Sequence, residues 1–168
     1  MRRDDDPISI LTRDHGTVRT GMDSLQRAVA EITAEGFSCG AFGRLAESIR
    51  RIDTSVRAQS EREEQFLLPL LERHHTPAVR SMRAEHRELW HACGRLLKTV
   101  EDVEEGRIHG TVLPELVEVA RSVIDLVTAH IVKETDVYFP LAETVLTDEE
   151  YGELRRQLKT PTMSAGAH

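Results

Sequence analysis

Five residues with metal-binding side chains stand where apolar residues are expected. His15, Glu63, His86, His130 and Glu134 each interrupt a run of apolar residues that recur every three or four positions. Imidazole and carboxylate groups without thiolates suit iron or manganese better than a structural zinc ion. A lone histidine on an apolar helix face is more often a hydrogen-bonded core residue, so the metal hypothesis depends on whether the fold brings all five together.

The composition favours a single all-α domain. The chain has 168 residues, which suffice for one full-sized core but not comfortably for two. Hydrophobic residues make up 39% of the chain and charged residues 30%, a balance typical of amphipathic helices, whereas aromatic residues make up only 4%. A β fold is therefore disfavoured.

Apolar residues spaced alternately by three and four predict four long amphipathic helices. Asp6 is the expected N-cap of the first helix, Pro7 takes its first position, and Gly36 ends it. The second helix is predicted to continue to His74. The predicted helices begin at Pro7, at about Ala41, at Thr76 and at Pro114.

The predicted architecture is an up-down-up-down four-helix bundle over residues 7–146. Residues 1–6 are expected to form an N-terminal extension. The segment from Thr147 to Glu150 has the pattern of a capping box, which predicts a short C-terminal fifth helix over residues 147–158. The tail over residues 159–168 is expected to be disordered.

This topology predicts that the five polar residues share one layer. The start of the first helix, the end of the second, the start of the third and the end of the fourth meet at one end of such a bundle. One residue on each helix lies about ten residues from that end, or about 15 Å at 1.5 Å per residue, and His130 is one turn from Glu134 on the fourth helix. These four residues are His15, Glu63, His86 and Glu134. Burying these groups together without a cation would cost several kcal/mol for each unpaired charge, so the layer predicts a metal site.

Four segments resemble the bacterial hemerythrin-like, or HHE cation-binding, domain over roughly residues 8–146. They are LTRDHGTVR around His15, QSEREEQFLLPLL around Glu63, MRAEHRELW around His86, and HIVKETDVYFPL, which holds His130 and Glu134. The resemblance implies a non-haem di-iron centre with an oxo or hydroxo bridge. Glu63 and Glu134 would bridge the irons, and His15, His86 and His130 would be terminal ligands.

The chain departs from this family at two positions. Gln59 stands where the family normally has a histidine four residues before the glutamate, and Met82 stands where some relatives carry a further histidine. Three histidines are left for two irons. Gln59 is therefore a candidate weak ligand through its amide oxygen, with a water molecule, Glu64 or Ser60 as other ways to complete the site.

The resemblance predicts a protein that binds or reacts with dioxygen, hydrogen peroxide or nitric oxide, in sensing or in detoxification. An enzyme of this kind would be a peroxidase, a catalase-like protein or an oxidase, and manganese is a less favoured metal than iron. The alternative is a degenerate bundle with one metal or none, acting as an interaction or iron-handling module. Tyr138 and Trp90, each one turn beyond a predicted ligand, are packing residues or redox-active neighbours of the centre.

Charge and sequence motifs disfavour several other functions. The net charge of -7, without a dense cluster of Lys and Arg, disfavours nucleic acid as a partner. No apolar stretch has the length of a membrane span or of a signal peptide, so a cytoplasmic location is expected. The sequence contains no Gly-rich phosphate loop and no nucleotide fingerprint, which disfavours kinase chemistry.

Overall fold

A computed structural model describes residues 6–159 of the chain, and in that range the regular structure is entirely helical. The helices are α1 (Pro7–Glu35), α2 (Cys39–Arg62), α3 (Leu68–Arg73), α4 (Ala78–Glu104), α5 (Val112–Lys133), α6 (Phe139–Val145) and α7 (Asp148–Lys159). The prediction of an all-α fold is confirmed. The expected extension at residues 1–6 and the expected tail at residues 159–168 lie almost wholly outside the described residues.

Local side-chain chemistry sets the ends of α1 and α7. Asp6 caps α1, because its carboxylate accepts a hydrogen bond of 2.8 Å from the backbone N–H of Ser9. Gly36 follows the last residue of α1 with φ of 86°, a conformation that favours glycine. At α7 the backbone N–H of Thr147 donates to Glu150 Oε2 at 3.0 Å, and the N–H of Glu150 donates to Thr147 Oγ1 at 3.3 Å. This reciprocal pair is the predicted capping box.

The four long helices pack in a ring. Helix α1 contacts α2 and α5, and α4 contacts α2 and α5. Helix α7 contacts α1 and places Leu154 and Leu158 in the same apolar cluster as Ile8 and Leu11. The separate helix predicted over residues 147–158 thus packs against the bundle, and it extends one residue further, to Lys159. Among the described helices, none has the length and apolar character that a membrane span requires.

Two apolar clusters lie on either side of the predicted polar layer. On each long helix a residue of the layer falls between a member of one cluster and a member of the other. His15, for example, lies between Leu11, which belongs to one cluster, and Val18, which belongs to the other. His86 lies in the same way between Met82 and Leu89. The polar layer is therefore enclosed by apolar side chains at both its upper and lower surfaces.

A π-helical turn begins at each of the two predicted carboxylate ligands. The five-residue segments Glu63–Leu67 and Glu134–Tyr138 join α2 to α3 and α5 to α6. The backbone N–H of the residue that follows each segment donates to the carbonyl of the glutamate five residues earlier. Pro69 and Pro140, which lack an N–H, then occupy the second position of α3 and α6.

These turns correct one detail of the sequence analysis. The second helix, predicted to run without interruption to His74, is divided into α2, a π-helical turn and α3. The two Glu-to-Pro segments nonetheless repeat one another in structure as they do in sequence. A π-helical turn contains one more residue than an α-helical turn, and such turns are frequent at functional sites.

The contact between α1 and α2 depends on the absence of a side chain at Gly21. A Cβ atom built there would lie 2.9 Å from Cγ1 of Ile52. Gly21→Val should therefore lower the free energy of unfolding by about 2 kcal/mol, because the core must move to admit the new atoms. Gly43→Val is the matched control, since a Cβ at Gly43 meets nothing within 4 Å.

Chemical denaturation of both variants measures this difference. The control should stay within about 0.5 kcal/mol of the parent protein, as exposed substitutions usually do. Equal stability of the two variants would contradict close packing of α1 on α2 at Gly21.

Candidate metal centre

Six buried polar side chains meet between the two apolar clusters. They come from α1, α2, α4, α5 and the two π-helical turns. His15, Glu63, His86 and Glu134 are fully buried, and Gln59 and His130 are 7% and 8% exposed. The residues are His15, Gln59, Glu63, His86, His130 and Glu134. Residues that are far apart in the sequence thus form a single layer.

On one side of this layer two imidazoles face the two carboxylates. His130 Nε2 lies 2.6 Å from Glu134 Oε1, and His86 Nε2 lies 3.2 Å from Glu63 Oε2. The two imidazole rings meet edge to face, with their centroids 5.0 Å apart. One ligand atom from each of the four residues lies within 4.8 Å of the others. A single ion can contact all four.

On the other side the same carboxylates face His15 and Gln59. His15 Nε2 lies 2.7 Å from Glu134 Oε2. The amide nitrogen of Gln59 donates to Glu63 Oε1 and to Glu134 Oε2, each at 3.2 Å. Each carboxylate therefore directs one oxygen to the His86 side and the other oxygen to the His15 side.

Most of the unpaired buried polar atoms of the described residues lie in this layer. His15 Nδ1, Glu63 Oε2, His86 Nε2 and Glu134 Oε1 have no partner in hydrogen-bond geometry. The close contacts of His86 with Glu63 and of His130 with Glu134 do not have the angles of hydrogen bonds. Among residues 6–159, the only other buried side-chain atoms without a hydrogen-bond partner are Thr76 Oγ1 and Gln157 Oε1. An unsatisfied buried polar atom costs about 1–3 kcal/mol. Carboxylate and imidazole atoms that converge without partners fit a bound cation, which takes their lone pairs directly.

The pKa values of the two buried carboxyl groups are shifted in opposite directions. Burial raises the pKa of Glu63 well above its usual value, and the neighbouring Glu134 raises it further. Burial also acts to raise the pKa of Glu134, but contacts with His130 and His15 outweigh it and lower that pKa. Without a cation, Glu134 is the charged member of the pair and Glu63 tends to keep its proton.

Carboxylates outside the layer hold the outer nitrogens of two of its three imidazoles. His86 Nδ1 lies 2.9 Å from Glu64 Oε1, and His130 Nδ1 lies 3.0 Å from Glu85 Oε2. A carboxylate bound to the outer nitrogen fixes the orientation of a ring and leaves Nε2 to a metal. Burial lowers the pKa of His86, which favours the neutral form that binds metals. Burial also acts to lower the pKa of His130, but Glu134 and Glu85 outweigh it and raise that pKa.

The sequence does not by itself predict the role of the carboxylates that hold His86 and His130. Glu85 was not identified, although it directly precedes His86, and it also accepts hydrogen bonds of 2.7 Å from Lys133 and from the Tyr138 hydroxyl. From the sequence, Glu64 is expected only as one of the groups that could complete the metal site. The adjacent pairs Glu63-Glu64 and Glu85-His86 are the signal in the sequence, because in each pair one residue lies in the layer and the other holds an imidazole from outside it.

Two aromatic side chains fix imidazoles by stacking. Phe139 stacks on His15, with ring centroids 5.7 Å apart and an angle of 12° between the planes. Trp90 stacks on His86 at 6.2 Å and 24°, and its indole N–H donates to Ser60 Oγ at 2.9 Å. Ser60 is thus a partner of Trp90, and both aromatics restrict the rotation of the imidazoles.

The comparison with known families agrees with this geometry. A family model described as the hemerythrin HHE cation binding domain matches residues 6–142. No match is found among curated proteins or among solved structures. The match includes every residue of the buried layer and extends over most of the chain. The chain therefore belongs to the hemerythrin HHE cation-binding domain family.

Proposed function

We propose that the protein holds two non-haem iron ions in the buried layer and uses them to bind or react with a small oxidant. The observation that carries this proposal is the position of Glu63 and Glu134. Each of these buried carboxylates turns one oxygen toward His86 and His130 and the other toward His15 and Gln59. Bridging carboxylates are the usual way in which helical bundles hold a pair of such ions.

The ring of packed helices supports an up-down-up-down bundle as the scaffold of this site. Helices that follow one another among the four long ones are neighbours, and α5 returns to contact α1. This order brings together the first half of α1 and α4 with the ends of α2 and α5, which are the parts that carry the layer.

The two proposed metal positions differ in their ligands. The first position has two imidazoles, from His86 and His130, and one oxygen from each carboxylate. The second position has His15, the two remaining carboxylate oxygens and Gln59. In the present conformation Gln59 turns its amide nitrogen to the carboxylates, and rotation of the amide would present its oxygen instead. We therefore assign the tighter site to the first position.

Iron bound in this layer supplies exchangeable electrons and open coordination positions for dioxygen, hydrogen peroxide or nitric oxide. The chain itself restricts what reaches them. A cavity of about 10 Å³ beside the layer has room for roughly one water-sized molecule. Aliphatic side chains form much of its wall, namely Val18, Val56, Leu89, Val127 and Ile131. The site thus excludes bulky substrates.

A second candidate is a site with one metal. The compact group of four ligands comprises Glu63, His86, His130 and Glu134, and His15 lies outside it. Gln59 satisfies part of the second position by hydrogen bonding to both carboxylates. In this case the bundle would act in iron handling or protein interaction, and the second position would remain empty.

The reaction with peroxide tests the proposed function. Iron-loaded protein should consume hydrogen peroxide, or change its near-ultraviolet absorption reversibly with nitric oxide or dioxygen. His130→Ala removes a ligand and should lower the reaction rate by at least about tenfold, since even outer partners of metal ligands contribute roughly 10–100-fold. His91→Ala is the control, because His91 is exposed on α4.

Stopped-flow absorption separates the outcomes. Turnover of peroxide identifies an enzyme, and a reversible change without product identifies a sensor or carrier. A protein with bound iron that responds to none of the three molecules would contradict the proposal.

Restoring a histidine at residue 59 tests the weakness of the second position. Gln59→His should raise the iron content per chain and slow the loss of iron to a chelator, because it supplies the missing imidazole. Gln157→His, on α7 outside the layer, serves as a control for adding a histidine. Elemental analysis before and after chelation measures both quantities. An unchanged iron content would show that another group already completes the position.

A further inference from the structure

We propose that Gln59 closes an entrance, lined in part by hydrogen-bonding side chains, through which hydrogen peroxide reaches the metal layer. The inference rests on the proposed function, because it names the oxidant and the route for that same site. It is carried by the two spaces that meet at Gln59, one on the surface and one inside the bundle.

The outer space is a recess between α1 and α2. Its volume is about 190 Å³, and its wall is formed by Asp14, Thr17, Ser55, Ala58, Gln59 and Arg62. An ion pair of 2.5 Å between Asp14 and Arg62 spans the two helices at this recess. Asp14 directly precedes His15, and Arg62 directly precedes Glu63, so the recess lies one residue away from the layer on each helix.

The inner space is the small cavity beside the layer. Val18, His130 and Glu134 are among the residues that line it, and Gln59 lines it as well. Gln59 alone is common to the walls of the recess and of the cavity. Its side chain, which is 7% exposed, therefore separates the outer space from the inner one.

This separating side chain is held by two long hydrogen bonds. The amide of Gln59 donates to Glu63 and to Glu134, each at 3.2 Å. Bonds of this length are at the weak end of the usual range, and an unbranched glutamine has other rotamers available. The side chain can therefore rotate away from the carboxylates and open the route.

Hydrogen-bonding groups in the outer recess favour hydrogen peroxide among the three candidate oxidants. A peroxide molecule that leaves water must exchange its hydrogen bonds for others, and the hydroxyls of Thr17 and Ser55 and the Gln59 amide supply them. Dioxygen and nitric oxide gain little from such groups. A charged oxidant would be stripped of water in a cavity with aliphatic walls, which disfavours its entry.

A second recess on another face of the bundle provides the competing route. It has a volume of about 80 Å³ and shares Leu89 and His130 with the inner cavity. Leu89 is 2% exposed in the core, and His130 is a proposed ligand fixed by Glu85. Entry there would displace a core residue or an imidazole ligand, whereas entry beside Gln59 displaces only an amide, the weakest of the proposed ligands.

Two matched substitutions distinguish the routes. Ala58 and Ala129 are both exposed helical alanines, each lining one recess and directly preceding Gln59 and His130 respectively. Ala58→Trp should fill the recess beside Gln59 and slow the reaction of iron-loaded protein with peroxide by about fivefold or more. Ala129→Trp should change the rate by less than about twofold. Thermal unfolding of each variant checks that the fold is retained.

A thiol inside the cavity gives a readout that needs no metal. Val18 is 1% exposed and lines the inner cavity, so Val18→Cys places a reporter there. Hydrogen peroxide transfers one oxygen atom to this thiol, giving a sulfenic acid and water. Mass spectrometry of the peptide that contains residue 18 follows the oxidation without interference from Cys39 or Cys93. Ala58→Trp should slow it in metal-free protein, and Ala129→Trp should not.

The outcomes separate the entrance from the chemistry. Slower peroxide entry in Ala58→Trp, with a smaller effect on nitric oxide association, supports the proposal. Slowing only in Ala129→Trp, no slowing in either variant, or equal slowing of peroxide and nitric oxide would overturn it. If the reporter thiol responds as expected but iron-loaded protein does not react with peroxide, the entrance stands and the proposed function fails.

Discussion

The structure depends on the close approach of two buried carboxyl groups, Glu63 and Glu134. In a medium of low dielectric constant two neighbouring carboxylates cannot both be charged without a cation, because each unpaired charge costs several kcal/mol. In the metal-free protein the pKa of Glu63 is shifted upward and that of Glu134 downward, which favours a protonated Glu63 beside a charged Glu134. Bound cations would remove the conflict and satisfy the unpaired atoms of His86 and Glu134 together.

The helices are built to hold this pair in place. Apolar clusters on both sides exclude water, and the two π-helical turns start at the two carboxylate residues themselves. A proline after each turn has no N–H to donate to the carbonyl four residues earlier, which favours the wider turn. Glu64 and Glu85 then fix the outer nitrogens of His86 and His130. The bundle thus positions both the buried layer and the partly exposed carboxylates that orient its imidazoles.

Much of this arrangement could be predicted from the sequence, because it rests on local rules and on periodicity. Helix boundaries were predictable because they follow from local chemistry: the side chains of Asp6 and Thr147 cap the starts of α1 and α7, and the backbone of Gly36 suits the end of α1. The layer could be predicted because each of the four predicted helices carries at least one polar residue at a similar depth in its apolar stripe. The family match over residues 6–142 agrees with the resemblance drawn from the same motifs.

Other features follow from three-dimensional contacts that periodicity does not contain. The π-helical turn at Glu63 shifts the register of the chain beyond it, and a regular repeat predicts an unbroken helix instead. Glu85 lies off the apolar stripe of α4, so its contact with His130 appears only when α4 and α5 are packed together. The unequal surroundings of the two carboxylates likewise depend on how Gln59 and His15 face them. Gln59 was visible as a departure from the family, but its two hydrogen bonds were not.

Anomalous X-ray diffraction at the iron absorption edge, on crystals of iron-loaded protein, tests the central claim most directly. The account predicts two iron peaks in the buried layer. One lies among Glu63, Glu134, His86 and His130, and the other lies among the same carboxylates, His15 and Gln59. A single peak, or no peak between Glu63 and Glu134, would contradict it.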